Sequence, residues 1–172
     1  ALNEKQAESM VSKLVDEINR IISSGKSESA MIKDFEGVFA RYADVPTIAR
    51  YALGVDARSA SATELRDFTN AFQVYVSRKY GRRFREFVGG RIEVQETKKI
   101  KSFFEVRTTA FLRGEAPFTV TFLVSDRSGK DLFFNMFIEG INMLLTERTE
   151  IGAMLDRRKG NLEALIQDLR KA

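Results

Sequence analysis

Histidine, cysteine and tryptophan are all absent from this chain of 172 residues, and proline occurs only twice. Without histidine or cysteine there is no Ser-His or Cys-His nucleophile and no metal held by imidazole or thiolate. No disulfide can form, so cysteine usage says nothing about redox compartment. Neither a G-x-x-x-x-G-K-[ST] loop nor a G-x-G-x-x-G turn occurs, which removes the usual phosphate cradles. With no Ser/Gly-rich run to act as a linker, one domain spanning residues 1–172 is expected. No apolar run approaches the roughly 20 residues of a membrane-spanning helix, so a soluble chain is expected. It opens at Ala1 without methionine, which suits a secreted protein after signal removal and equally a trimmed chain.

What the chain does have is phenylalanine. Fourteen Phe and five Met supply broad, adaptable apolar surface. The charge is mixed, with 28 basic and 24 acidic residues for a net +4, which fits attraction to anionic surfaces without demanding it. Helical spacing runs through residues 3–24, where Met10, Val11, Leu14, Val15, Ile18, Ile21 and Ile22 form one stripe. A second helix is predicted over 27–42, with Met31, Phe35, Val38, Phe39 and Tyr42 aligned. A short third helix starts near Asp44, with Pro46 tolerated in its first turn, and ends at Leu53-Gly54. Ser61 and Glu64 form a capping box that opens the longest helix, to about Phe87, with Leu65, Phe68, Phe72, Tyr75, Val76, Tyr80 and Phe84 on one face.

From Arg91 the period changes from helical to alternating. Ile92 and Val94 begin one strand; Phe104, Val106, Thr108, Ala110 and Leu112 share a face of the next, and Phe118, Val120, Phe122 and Val124 of a third. The stretch Asp131–Leu155 organises the rest. Leu132, Phe134, Met136 and Ile138 alternate with Phe133, Asn135, Phe137 and Glu139. Gly140 then marks a bend or bulge in the sheet, Ile141, Met143 and Leu145 resume the alternation, and Thr146 is placed to cap a helix. A last helix is predicted over 161–171. Helices first and a four-stranded antiparallel sheet after them make an α+β pattern.

Asn135-Met136, Glu139-Gly140-Ile141-Asn142-Met143, Arg148, Gly160, Leu165-Ile166 and Leu169 resemble the end of the MlaC family, also called the toluene-tolerance auxiliary family. Leu53-Gly54, Arg58, Phe68, Phe72, Tyr75 and Tyr80-Gly81 resemble its middle, so the likeness runs from about residue 30. The family more often carries Asp at the place of Asn135 and Ser at that of Asn142. The resemblance implies a periplasmic shuttle that carries phospholipid between the two membranes of Gram-negative bacteria. It implies a curved sheet closed by helices, cone-like as in the nuclear transport factor 2 superfamily. It also implies two partners: an outer-membrane lipoprotein–porin complex, and an inner-membrane ABC transporter with its substrate-binding ring.

On that reading the protein is no enzyme and needs no cofactor; phospholipid is its cargo. Burial is worth about 0.8 kcal/mol per methylene, so two acyl chains of about 15 methylenes need on the order of 20 kcal/mol of replacement burial, which calls for an enclosed pocket. The expected walls are Phe39, Tyr42, Phe68, Phe72, Tyr80 and Phe84 on the helices, and Phe104, Val106, Phe122, Val124, Phe134, Met136, Ile138 and Met143 on the sheet side. Two alternatives stay open: a carrier of polycyclic lipids such as hopanoids, and a small cone-fold isomerase or dehydratase with a buried carboxylate or tyrosine at the pocket floor. Glu139, beside Gly140, is the acidic side chain to watch, though a solvent-exposed role or a pairing with an arginine such as Arg148 is the simpler expectation. The cluster Arg78, Lys79, Arg82, Arg83 and Arg85 invites a nucleic-acid reading, with Tyr75 and Tyr80 as stacking partners. A solvated helix face, or docking to an anionic surface, explains it more simply, and no nucleic-acid partner is expected.

Overall fold

Side-chain oxygens set where each helix of the chain begins, as a computed structural model describing residues 1–172 shows. Asn3 caps α1 (Glu4–Ile22) in a reciprocal box with Gln6, and Ser27 caps α2 (Glu28–Tyr42). Asp44 caps α3 (Val45–Leu53), which carries Pro46 in its first turn and runs into a 3-10 segment, Gly54–Arg58. Ser61 and Glu64 form the predicted box at the start of α4 (Ala62–Arg85). Each cap satisfies backbone N–H groups that have no partner inside the helix.

The sheet is a meander of five antiparallel strands in sequence order, where four were expected: β1 (Arg91–Ile100), β2 (Phe103–Phe111), β3 (Phe118–Ser125), β4 (Leu132–Ile138) and the two-residue β5 (Ile141–Asn142). Its inner face is read from the register: Phe104 opposite Val124, Val106 opposite Phe122, Phe122 opposite Met136, and Val120 opposite Ile138. α1 lies across β1, β2 and β3, α2 packs on α4, and α5 (Met143–Arg157) returns against α3 and β4. α6 (Leu162–Lys171) closes on α4. Forty-one buried apolar residues form one connected cluster between these layers. No helix is long and apolar enough to cross a membrane.

Three expectations about the 131–155 stretch change. Gly140 does not bend the sheet; Glu139 and Gly140 both take positive φ (51° and 81°) and form the two-residue turn of the β4–β5 hairpin, which pairs Ile138 with Ile141. Alternation stops there, because the next helix starts at Met143 and is capped by Asn142, whose Oδ1 accepts from the Leu145 N–H. Thr146 is therefore inside α5, and the expected strand of Met143 and Leu145 is its first turn. The third change is a one-residue slip. Leu123 pairs with Asn135 but Val124 pairs with Phe133, so Phe134 is an extra residue in β4. The bulge turns Phe133 to the inner face, against Phe39 and Phe122, and sends Phe134 to the outer face, against Phe103.

Candidate functional site

α1, α2 and α4 meet β3 and β4 around an apolar recess. Leu14 and Ile18 come from α1, Phe35, Val38 and Phe39 from α2, and Ser77, Tyr80, Gly81 and Phe84 from α4, with Phe122, Phe133 and Met136 on the sheet. Gly81 matters to its shape. A Cβ there would lie 3.2 Å from the Cβ of Phe35, so any larger residue would push α2 and α4 apart by a few tenths of an ångström. The two polar side chains of the lining are both committed: the Ser77 hydroxyl donates to the Gln73 carbonyl of its own helix (2.5 Å), and the Tyr80 hydroxyl donates to Glu147 (2.9 Å).

A second recess adjoins the first through Tyr80 and Met136, which line both. Ile138, Ile141 and Met143 make its apolar walls, and Lys79 and Arg83 stand in its lining. The inner recess holds about 30 Å³ and the outer about 170 Å³. The open chamber expected from the sequence is thus absent, because phenylalanines close the space between the layers. Phe84 packs at 5.8 Å from Phe35 and at 5.2 Å from Phe87, centroid to centroid.

Of the wall residues expected from sequence, Phe39, Tyr80, Phe84, Phe122, Met136, Ile138 and Met143 line one or both recesses. The other seven do not. Phe68 and Phe72 are buried and stacked at 5.6 Å, but earlier on α4. Phe104, Val106 and Val124 are buried in the inner face of the sheet outside the recess linings. Tyr42 bonds through its hydroxyl to Glu17 of α1, and Phe134 is on the opposite face of the sheet. Sequence reasoning missed Leu14, Ile18, Phe35, Val38 and Phe133. The first four carried a core stripe as plainly as Phe39 did; nothing in their spacing separates a recess wall from filled core.

It also missed Glu147. This carboxylate has no exposed surface, and one oxygen takes hydrogen bonds from Lys79 Nζ (2.8 Å) and the Tyr80 hydroxyl (2.9 Å) while the other has no partner. Lys79 also reaches Glu150 at 2.5 Å, so the group ties α4 to α5 beside the outer recess. Burial, then the negative charge of Glu147, raises the pKa of the Tyr80 phenol far above its usual range. For Lys79, burial works against the ammonium, but its hydrogen bonds to Glu147 and Glu150 outweigh that and raise its pKa. Glu147 enters neither recess lining, so the linings offer hydrophobic contact, with the Tyr80 hydroxyl and the charges of Lys79 and Arg83 at the outer one.

Glu139 is exposed and faces Arg83 at 3.8 Å rather than Arg148, which lies over the Tyr51 ring. Most of the basic cluster on α4 is paired within the chain: Arg78 with Glu36, Lys79 with Glu147 and Glu150, Arg83 with Glu86 and Glu139, and Arg85 with Glu28. Arg82 is exposed and has no such partner.

No curated protein matches the sequence significantly. Among solved structures, the chain is similar to a phospholipid-binding protein from Ralstonia solanacearum, determined in complex with a phospholipid. The TM-score is 0.80 at 17% identity, over 96% of this chain and 95% of that one, a likeness of fold. Residues 12–171 match the family described as MlaC protein. With nearly the whole chain inside that match, and the hairpin and capped helix quoted above falling within it, the protein belongs to the MlaC family.

Proposed function

We propose that this protein is a non-enzymatic phospholipid carrier, working in the periplasm as a shuttle between an outer-membrane lipoprotein–porin complex and the substrate-binding ring of an inner-membrane ABC transporter. Acyl chains occupy the space between α1, α2 and α4 and the inner face of the sheet, and the headgroup stays at the outer recess beside Lys79 and Arg83. The observation that carries this reading is the pair of adjoining apolar recesses that share Tyr80 and Met136 and end at two cations. Family membership and the phospholipid bound by the Ralstonia protein support it.

The recesses must widen to admit a tail, and the magnitudes allow it. Unsealing Phe35, Phe39 and Phe84 costs at most about 1.5–3 kcal/mol each, whereas a tail of about 15 methylenes regains on the order of 12 kcal/mol on burial. The helix layer therefore opens only against a guest that replaces the lost contacts. Transfer is passive, and its direction comes from the affinities of donor and acceptor.

Native mass spectrometry of protein purified without detergent tests the reading. A bound diacyl phospholipid is the expected adduct. A hopanoid adduct would replace phospholipid with a polycyclic cargo. Protein that carries no lipid, and takes none from vesicles, would end the carrier reading.

A further inference from the structure

A hollow of about 740 Å³ lies away from the recesses and shares no lining residue with them. It is a groove lined by α3, α4 and the 3-10 segment, with Arg148 of α5. Four arginines line it, each from a different element: Arg50 of α3, Arg58 of the 3-10 segment, Arg66 of α4 and Arg148 of α5. No aspartate or glutamate belongs to the lining. None of the four arginines has a carboxylate within 4 Å, although Arg78, Arg83, Arg85 and Arg158 elsewhere on the surface all do.

Four like charges around one hollow repel each other, and a folded chain with 24 acidic residues has ample means to neutralise them. Arg148 is instead held in place while keeping its charge. Its guanidinium lies 5.0 Å from the Tyr51 ring centroid and beside Gly54, whose φ of +67° suits glycine. Stacking fixes the plane of a guanidinium and leaves its N–H edge available for a carboxylate. Val55, 69% exposed, adds an apolar contact to the lining, together with Leu65.

We propose that this groove is the docking site for an extended acidic segment of a partner protein. A single phosphate would fill only a small part of it, and a planar bilayer does not enter a concavity. An extended segment with carboxylates set between apolar side chains matches both the spread of arginines over four elements and the apolar contacts between them. The inference does not depend on what the core carries.

Fluorescence anisotropy with a fluorescein-labelled octapeptide of alternating glutamate and leucine tests it, at about 150 mM salt to suppress diffuse attraction. Saturable binding is expected, with none for the matching lysine–leucine peptide. The double variant Arg50→Gln/Arg66→Gln should weaken binding at least about tenfold, and Arg82→Gln/Lys98→Gln, which removes the same charge elsewhere, should change it less than about twofold. All four side chains are exposed, and unchanged far-UV circular dichroism confirms that the variants fold. Absence of saturable binding overturns the proposal, as does equal weakening by both pairs. Displacement of the peptide by millimolar inorganic phosphate would make the groove a small-anion site instead. If Arg50→Gln/Arg66→Gln abolishes co-sedimentation with phosphatidylglycerol vesicles while peptide binding persists, the groove serves a membrane.

Discussion

A carboxylate with no exposed surface, one of whose oxygens meets no donor, is tolerated only where its other oxygen is well held. Lys79 and Tyr80 hold Glu147 in this way, and through it they join α4 to α5. Glu147→Gln should therefore lower stability by about 1–3 kcal/mol in urea titrations, because the charge that Lys79 and the Tyr80 hydroxyl were arranged around is gone. A loss below about 0.5 kcal/mol would show that Glu150 alone suffices for Lys79. The pH dependence follows from the same group. The folded-state pKa values of Tyr80 and Lys79 are both raised, from ordinary values of 10.0 and 10.5. A raised pKa means that the folded form holds its proton more tightly. The stabilisation is then complete below the unfolded value and declines as pH rises beyond it. Melting temperature should thus fall from about pH 10 upward, and less steeply in Tyr80→Phe, which has no phenol to ionise. An equal slope in both proteins would remove Tyr80 from the account.

Among the elements, the β4–β5 hairpin and the start of α5 depend on two asparagines. Asn142 Oδ1 accepts from the Leu145 N–H and from Asn135 Nδ2, and Asn135 Oδ1 accepts from the N–H groups of Met136 and Leu144. Asn142→Ala should cost about 1 kcal/mol or somewhat more, as loss of a cap does, and Thr146→Ala should stay within about 0.5 kcal/mol. Equal losses in thermal melts would restore Thr146 as the start of the helix. The helix start at Ser61 was legible in the sequence because a capping box is a local interaction, complete within four residues, and the starts near residues 3, 27 and 44 followed from helical spacing. The bulge at Phe134 was not. A strand's alternation is read on the assumption that every residue has a partner, and only the pairing of β3 with β4 shows where one is skipped. That slip exchanges Phe134 for Phe133 in the recess wall.

For the molecule as a whole, the decisive question is how readily the helix layer leaves the sheet. Ser77 is buried at the inner recess and its hydroxyl bonds only within its own helix, so Ser77→Leu adds bulk where a tail would enter without removing a contact between layers. The variant should stay folded, with at most about 1–3 kcal/mol of overpacking strain, and its lipid-to-protein ratio after purification should fall several-fold by mass spectrometry. Undiminished lipid would place the acyl chains elsewhere. Half of the expected wall residues line the recesses, and half are ordinary core or point away. Apolar periodicity reports that a side chain leaves water, and it reports this equally for Phe84 beside a recess and for Phe72 in solid packing.

The helices other than the start of α5, the change from helical to alternating period at Arg91, the antiparallel meander and the family likeness were all determined by the sequence itself. Each rests on interactions between residues close along the chain, or on motif order. The burial of Glu147 beneath Lys79 and Tyr80, the inward turn of Phe133, the closeness of the core and the convergence of four arginines from four elements were decided by the tertiary structure. Each of these joins residues far apart in sequence, and a side chain's value as wall, ion pair or docking contact is set by what folding brings beside it.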